Sequence, residues 1–255
     1  MGADTFNVVI TGANKGIGRV LVEEYLSRHN TTVIAAVRDL GSAARAFESL
    51  SVGAKRSLIL VKIDSMSETD AHDAVEALQK TYGIGMIDLL IANAGMGNAY
   101  DAAASTPLNS LTTHFLVNAG GPLLLFQAFR PLLLAASESS GHSMPKFVVL
   151  SSAIASLTQT GQFPLKSTAY GASKTAVNFI TQRINAEEEW LITFPISPGW
   201  VQTTMGDTAA GVVGMSQAPL TAHQSVSGIM RVIDGAKRSE AAERFVDYDG
   251  NTIPW

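Results

Sequence analysis

The sequence has no cysteine among its 255 residues, which excludes disulfide bonds, thiolate metal centres and cysteine nucleophiles. Charge is also scarce: 16% of the residues are charged and the net charge is −4, so nucleic acid is not an expected partner. The five histidines show no metal-ligand spacing, and no metal site is predicted. Hydrophobic residues make up 46% of the chain, which allows a sizeable core and excludes disorder.

Targeting and membrane signals are missing as well. No stretch approaches the roughly 18 consecutive apolar residues of a membrane span, so we expect no membrane association. The amino terminus carries Asp4 and continues into a strand-like segment, unlike a signal peptide. Phe6 stands where N-myristoylation needs Ser or Thr, and the end at Trp255 matches no retrieval or peroxisomal signal. These absences favour a cytoplasmic location.

Short apolar runs alternate with segments of helical periodicity along the whole chain. Nearly all-apolar strands that alternate with helices are typical of a parallel sheet covered on both faces. We therefore predict one Rossmann-like, doubly wound α/β domain over residues 1–255, with about seven strands and a lid near residues 200–220. The predicted strands are Phe6–Thr11, Thr32–Val37, Ser57–Ile63, Met86–Ala92, Lys146–Ser152, Leu191–Ser197 and Phe245–Tyr248.

Two helices have features that the structure can test directly. Ser67 with Asp70 three residues later is typical of an N-cap, which predicts a helix over Ser67–Tyr82. The apolar segment Leu108–Ala136 predicts a long helix, and we expect Pro122 and Pro131 to break or kink it.

Glycines follow the first predicted strand and precede the first predicted helix. In sheets of this class, ligands bind beyond the carboxyl ends of the strands. Gly12, Gly16 and Gly18 permit a tight turn and a close backbone approach, and the free amides of a helix start favour an anion. This context predicts a cradle for a dinucleotide pyrophosphate.

The spacing Gly-x-x-x-Gly-x-Gly resembles that of the short-chain dehydrogenases/reductases. Further motifs of that family occur in its order over nearly the whole chain, namely Asn93-Ala94-Gly95, Ser152, Tyr170-x-x-x-Lys174 and Pro198–Thr203. The resemblance implies a nicotinamide-dependent oxidoreductase.

The resemblance implies four catalytic residues. Tyr170 is the general acid for carbonyl reduction, and Lys174, four residues along the same helix, holds the nicotinamide ribose. We expect the neighbouring ammonium to lower the pKa of the Tyr170 phenol. Ser152 hydrogen-bonds the substrate oxygen, with Ser151 as the alternative. Asn118 holds a proton-carrying water, with a satisfied core amide as the alternative.

The end of the second strand predicts which cofactor binds. An NAD site has an acidic residue there, but this chain has Val37 and then Arg38. Arg38 and Lys15 suit the 2′-phosphate of NADPH, whereas Asp39 is a competing acceptor for a ribose hydroxyl. The family resemblance places Asp64 at the adenine. The predicted cofactor-binding residues are Gly12, Asn14, Lys15, Gly16, Ile17, Arg38, Asp64, Asn93, Ala94, Gly95, Tyr170, Lys174, Pro198, Val201 and Thr203.

Apolar residues are predicted to line the substrate side of the nicotinamide. These positions include no Arg or Lys to hold a carboxylate, which favours an aromatic or polycyclic ketone over a small keto acid. The alternative is that the same residues are ordinary core. The predicted substrate-binding residues are Met96, Ile154, Leu157, Phe163, Trp200 and Met205.

Two local similarities indicate which branch of the family the chain resembles. Residues 245–255 resemble the sniffer and C-factor branch of carbonyl reductases, and residues 201–207 resemble fungal norsolorinic acid ketoreductases. These similarities imply an NADPH-dependent ketoreductase of secondary metabolism, acting on a small-molecule ketone. An NAD-dependent alcohol or hydroxysteroid dehydrogenase and a non-catalytic, cofactor-binding signalling protein are the alternatives. Helices near 108–136 and 169–188 match those through which relatives form dimers and tetramers, so we expect a homo-oligomer, with a monomer as the alternative.

Overall fold

A computed structural model describes residues 5–50, 58–139, 143–241 and 244–255. Within them, seven strands form one fully parallel sheet in the order β3-β2-β1-β4-β5-β6-β7. The predicted fold class is thereby confirmed; Ser57, the predicted start of the third strand, lies outside the described residues. The strands are β1 Phe6–Thr11, β2 Thr31–Val37, β3 Leu58–Lys62, β4 Leu89–Ala92, β5 Lys146–Leu150, β6 Ile192–Ser197 and β7 Val246–Asp247.

Helices cover both faces of this sheet. Consecutive strand residues alternate between two apolar cores, as Val8 and Ile10 lie in one and Val9 in the other. Helices α1 and α8 pack on the first core, whereas α3, α5 and α6 pack on the second. The helices are α1 Gly16–Leu26, α2 Leu40–Ala46, α3 Asp70–Tyr82, α4 Leu108–Phe115, α5 Gly121–Glu138, α6 Thr168–Glu187, α7 Thr204–Val212, α8 Ala222–Gly235 and α9 Arg238–Ala241.

The predicted long helix is divided by a π-helical turn. This turn, Leu116–Gly120, joins α4 to α5, and Pro122 lies in the first turn of α5, where its missing N–H is tolerated. Pro131 does not break the helix, because α5 continues through it, and a kink there stays a prediction. Pro131 and Gln127, four residues before it, are both exposed, so water can bond the carbonyl that the proline leaves without a donor.

Two further expectations are refined by the structure. Helix α3 begins at Asp70 rather than at Ser67, although the predicted pair does meet: Ser67 Oγ donates to Asp70 Oδ1 at 2.8 Å. By length and hydropathy, Leu108–Glu138 could cross a membrane, but 56% of the apolar window in that segment is buried within the fold. That burial is typical of the core helix of a globular protein.

The sheet order reverses between β1 and β4. The loops that leave the carboxyl ends of these two strands therefore diverge and open a crevice there, which is the usual ligand site of such sheets.

Candidate active site

The glycine loop between β1 and α1 is a close-packed backbone turn. Gly12 and Gly16 have φ of 62° and 54°, a left-handed conformation that favours glycine. A Cβ added at Gly18 would lie 2.3 Å from the carbonyl oxygen of Gly12 and 2.5 Å from Asn93 Nδ2. The predicted loop is therefore built from positions that accept glycine and little else.

The start of α1 offers free amides to an anion. Lys15 is the N-cap residue, and its side chain makes no capping bond, so the first amides of α1 are not satisfied by a capping side chain. Asn14 and Ile17 flank this point in the chain. Because Gly12 and Gly16 have no side chains, a pyrophosphate group can approach the backbone of the loop closely and accept hydrogen bonds from these amides.

Asn93 holds the glycine loop in place. Its side-chain Nδ2 donates to the carbonyl oxygen of Thr11 at 2.7 Å, and the amides of Asn93 and Ala94 both donate to Thr11 Oγ1, at 3.1 and 3.0 Å. The side chain of Asn93 is thus directed at the loop, whereas Ala94 is partly buried and Gly95 is exposed. Thr11, which the sequence analysis missed, joins the ends of β1 and β4.

The charged side chains near the end of β2 differ in whether they are free to bind a ligand. Asp39 caps α2, because its Oδ1 accepts from the amides of Gly41 and Ser42 at 2.8 and 3.2 Å. Arg38 and Lys15 are exposed, and neither side chain has a hydrogen bond or ion pair within the described residues. The two cations are therefore free to bind a ligand, while the competing carboxylate is engaged by its own helix.

Asp64 lies at the end of β3 and lines a small pocket with Thr11 and Ala94. Its amide donates to Asp70 Oδ2 at 2.9 Å, and its own carboxylate accepts from the amide of Met66 at 3.0 Å. Asp70 therefore fixes the turn that presents Asp64 beside the crevice.

Tyr170, Ser152 and Lys174 meet where β5 ends and α6 begins. The Ser152 hydroxyl lies close enough to the Tyr170 phenol to lower its pKa, and Lys174 Nζ lies 5.9 Å from the centre of the Tyr170 ring. Ser151 is directed into the core, where its hydroxyl donates to Asn178 Oδ1 at 2.6 Å. The structure thus places Ser152, and not Ser151, beside the tyrosine.

Burial shifts the pKa values of both residues of the Tyr-Lys pair. Burial raises the pKa of Tyr170 above its usual value, and the neighbouring Ser152 hydroxyl only partly offsets this increase. The expectation that Lys174 lowers the pKa of Tyr170 is wrong for the protein alone. Burial also lowers the pKa of Lys174 to about 8, and its Nζ donates to the carbonyl oxygen of Leu150 at 2.6 Å.

Asn118 lies within the π-helical turn and is fully buried. Its Oδ1 accepts from the amide of Met96 at 2.8 Å, and its Nδ2 donates to the carbonyl oxygen of Met96 and to Ser173 Oγ. Both hydrogens of Nδ2 are thus engaged, and Oδ1 has one acceptor position left. The main-chain carbonyl of Asn118 also lacks an α-helical donor, since the amide that would bond it belongs to residue 122, which is Pro122.

Four of the six predicted substrate residues have contacts near Tyr170 or Met205. Gly97, which the sequence analysis missed, lies between Met205 and the Tyr170 ring, because an added Cβ would be 3.2 Å from both side chains. Asn118 holds Met96, next to Gly97, and Ile154 Cγ2 lies against Gly171, next to Tyr170. Trp200 Nε1 donates to the carbonyl oxygen of Gly206 at 2.9 Å, one residue after Met205.

The other two predicted substrate residues lie in the loop after Ser152. Leu157 is 70% exposed, so its side chain forms no packed wall in this structure. Phe163 is partly buried further along the same loop. A role of Leu157 and Phe163 in substrate binding stays a prediction.

The segment after β6 contacts the glycine loop. An added Cβ at Gly16 would lie 3.2 Å from Thr203 Cγ2, and the Thr203 hydroxyl caps α7 by accepting from the amide of Gly206. Val201 is buried and bridged to Leu220. The Pro198 carbonyl oxygen accepts from Ser225 Oγ at 2.6 Å. These bonds fix the base of the predicted lid, whose movement stays a prediction.

Sequence comparisons match this arrangement. A family profile described as short chain dehydrogenase covers residues 7–211. Norsolorinic acid ketoreductase nor1 of Dothistroma septosporum is 41% identical over 251 residues, which are 97% of this chain and 91% of that protein. Norsolorinic acid ketoreductase of Aspergillus parasiticus is 39% identical over 251 residues, which are 97% of this chain and 90% of that protein.

Solved structures share the fold. The NADPH-bound carbonyl reductase from chicken fatty liver has a TM-score of 0.87 and 25% identity, covering 98% of this chain and 94% of that one. The carbonyl reductase Sniffer of D. melanogaster has a TM-score of 0.85 and 24% identity, covering 98% of this chain and all of that one.

Proposed function

The chain belongs to the short chain dehydrogenase family, as its motifs indicated, and from that membership we propose that it is an NADPH-dependent ketoreductase. The observation that carries the proposal is the meeting of Ser152, Tyr170 and Lys174 beside a glycine loop with free amides. The names of the two ketoreductase relatives and the NADPH-bound carbonyl reductase support the same reaction class.

The proton chemistry follows from the environments of two residues. Bound NADPH would supply a hydride to the carbonyl carbon. Because burial raises the pKa of Tyr170, its phenol keeps its proton at neutral pH and can donate it to the carbonyl oxygen. The Ser152 hydroxyl, beside that phenol, donates a hydrogen bond to the same oxygen as negative charge develops there.

Lys174 and Asn118 assist this proton transfer. Lys174, whose Nζ lies 5.9 Å from the centre of the Tyr170 ring, would hold the nicotinamide ribose beside the phenol. Once Tyr170 has given up its proton, Lys174 would pass one of its own protons toward the phenolate. A water bonded to the main-chain carbonyl of Asn118, whose α-helical donor is replaced by Pro122, would then supply the proton that Lys174 has lost. The Asn118 side chain holds the Met96 segment in position.

The preference for NADPH rests on Arg38 and Lys15. Both are exposed cations without partners in the described residues, and Asp39 is engaged in capping α2. A guanidinium bonds a 2′-phosphate but gains little from a 2′-hydroxyl.

This preference can be tested by fluorescence titration of both cofactors. Because a hydrogen bond between charged groups contributes about 1.5–3 kcal/mol, Arg38→Ala should weaken NADPH binding roughly 10- to 100-fold and NADH binding little. Arg231→Ala removes an exposed cation from α8 and serves as the matched control. Equal losses for the two cofactors in Arg38→Ala would contradict the phosphate role and favour an NAD-dependent dehydrogenase.

The proposed substrate is an aromatic or polycyclic ketone of a secondary metabolic pathway. Met205 and Ile154 lie against Gly97 and Gly171, beside Tyr170, and Met96 and Trp200 belong to the same segments. None of these four residues offers a charge to a carboxylate. Oxidation of NADPH, followed by its absorbance, should be fast with aryl ketones and slow with pyruvate-sized keto acids. Cofactor binding without turnover of any ketone would contradict the enzymatic proposal and favour a binding protein.

Assembly and location stay predictions. Helix α6 packs on α4 and on the π-helical turn. Exposed apolar side chains on these elements support a homo-oligomer, among them Leu108, Leu116 and Phe179 at 76%, 49% and 68% exposure. Light scattering at micromolar concentration tests the assembly, and a monomer there would contradict it.

A further inference from the structure

The C-terminal segment, residues 251–255, folds back along β7. The chain turns at Gly250, where φ is 93°, and the amide of Ile253 then donates to the carbonyl oxygen of Phe245 at 2.7 Å. A bridge between Thr252 and Val246 continues this antiparallel pairing. The return brings the indole of Trp255 onto the Phe245 ring, with the ring centres 5.6 Å apart.

The same segment packs against the start of the loop that joins Ser152 to Tyr170. Ala155 in this loop is buried in a small apolar cluster with Phe245 and Ile253. The amide of Thr158 donates to the carbonyl oxygen of Trp255 at 3.1 Å. On its other side, the loop is held by α6, since Thr175 Oγ1 donates to the carbonyl oxygen of Ala155 at 2.9 Å.

This part of the loop is directly connected to the candidate catalytic residues. The amide of Ala155 donates to the carbonyl oxygen of Ser152 at 2.8 Å. Ile154, between them, lies against Gly171, the neighbour of Tyr170. A shift of Ala155 would therefore move both the Ser152 hydroxyl and an apolar wall of the ketone site.

The cofactor region lies elsewhere in the sheet. The glycine loop and Arg38 follow β1 and β2, whereas the C-terminal segment pairs with β7, at the far edge beyond β4, β5 and β6. A perturbation of the C-terminal segment should therefore reach the ketone site and spare the nucleotide.

We propose that Trp255 and Ile253 are positioning residues, which set the place of residues 153–158 and so determine the affinity for the ketone. This inference rests on the proposed ketoreductase function and deepens it. The stacked Phe245–Trp255 pair and the buried Ala155 cluster act through the loop and touch no reacting atom.

Kinetics of Trp255→Ala, with Trp255→Phe as the conservative variant, test the proposal. Loss of the ring pair should raise KM for an aryl ketone roughly 3- to 10-fold, the equivalent of one aromatic pair, while kcat changes less. The dissociation constant of NADPH should stay unchanged, and Trp255→Phe should restore KM. Tyr82→Ala, at the far end of α3 with the same 39% exposure as Trp255, is the matched control and should leave KM unchanged.

Hydrogen exchange gives a readout that needs no turnover. In Trp255→Ala, exchange across residues 153–158 should accelerate, whereas exchange in the glycine loop should not change. Ile253→Val, a smaller truncation of the same cluster, should shift exchange and KM in the same directions by less.

The two hypotheses fail in different ways. A wild-type protein that neither reduces nor binds a ketone would contradict the proposed function. Unchanged exchange in residues 153–158, an unchanged ketone KM, or an equal loss of NADPH affinity in Trp255→Ala would each overturn the positioning role.

Discussion

The buried ammonium of Lys174 predicts a measurable dependence of stability on pH. This side chain is 5% exposed and makes its one hydrogen bond within the described residues to the carbonyl oxygen of Leu150. Burial lowers its pKa from 10.5 to about 8, because the charged form loses its hydration. The unfolded chain therefore holds this proton up to about pH 10.5, while the folded chain releases it near pH 8.

The sign and size of the effect follow from this difference. Between about pH 8 and 10.5 the unfolded state binds more protons, so the free energy of unfolding rises with pH across this window. Below pH 8 both states are protonated and the full destabilisation is present. A difference of about 2.5 pKa units corresponds to about 3 kcal/mol.

The perturbation is Lys174→Met, which keeps the length of the side chain and removes the charge. Urea unfolding of the wild type and the variant, followed by tryptophan fluorescence from about pH 7 to pH 11, gives the stability difference at each pH. The free energy of unfolding of the variant, relative to that of the wild type, should fall by about 3 kcal/mol between pH 8 and 10.5. The variant also loses the hydrogen bond to Leu150. This loss changes the stability difference between variant and wild type by the same amount at every pH, so the dependence of that difference on pH is unchanged.

Lys237→Met removes an exposed ammonium from the segment after α8 and is the matched control. Its stability difference from the wild type should stay flat over the same range, because this ammonium is hydrated in both states. A flat difference for Lys174→Met as well would refute the argument from burial.

Further predictions separate neighbouring residues. Ser152→Ala should lower kcat/KM for a ketone by about 10²- to 10³-fold in initial-rate measurements, the usual effect of removing a donor to a developing oxyanion. Ser151→Ala should instead lower the free energy of unfolding by about 1–3 kcal/mol through its lost bond to Asn178 and largely preserve kcat/KM; the reverse pattern would reassign the serine. Gly18→Ala would place a Cβ 2.3 Å from the carbonyl oxygen of Gly12 and should weaken NADPH binding at least about tenfold in fluorescence titrations. Gly85→Ala, where a Cβ meets nothing within 4 Å, should not, and equal affinities would contradict the loop geometry.

The sheet was predictable because every central strand is buried on both faces. Such strands, β2 Thr31–Val37 above all, must be almost wholly apolar, and that pattern is visible without tertiary information. The ends of these strands then indicate where polar residues cluster, which is why most of the site could be found from the sequence.

The π-helical turn could not be predicted from local sequence. Its buried Asn118 bonds Met96 and Ser173, which are 22 and 55 residues away in the chain. Helical periodicity contains no information about such distant partners. Pro122 indicated that the long helix is interrupted, but the π-helical form of the interruption depends on these contacts.

Burial also explains why the direction of the Tyr170 pKa shift was predicted wrongly and why the choice between Ser151 and Ser152 was left open. The four-residue spacing of Tyr170 and Lys174 shows that they share a helix face, but not how strongly burial acts on each side chain, so the expected direction of the phenol pKa shift was wrong. Ser151 and Ser152 are adjacent, and the choice between them depended on the position of Asn178 on α6.

The most direct test of the proposed function compares Tyr170→Phe with the wild type. NADPH oxidation with an aryl ketone and calorimetric NADPH binding are measured on the same preparations. Removal of the proton donor should lower kcat by about 10²- to 10⁴-fold while the NADPH dissociation constant stays unchanged. Turnover by Tyr170→Phe at the wild-type rate would contradict the central claim that the buried phenol protonates the ketone.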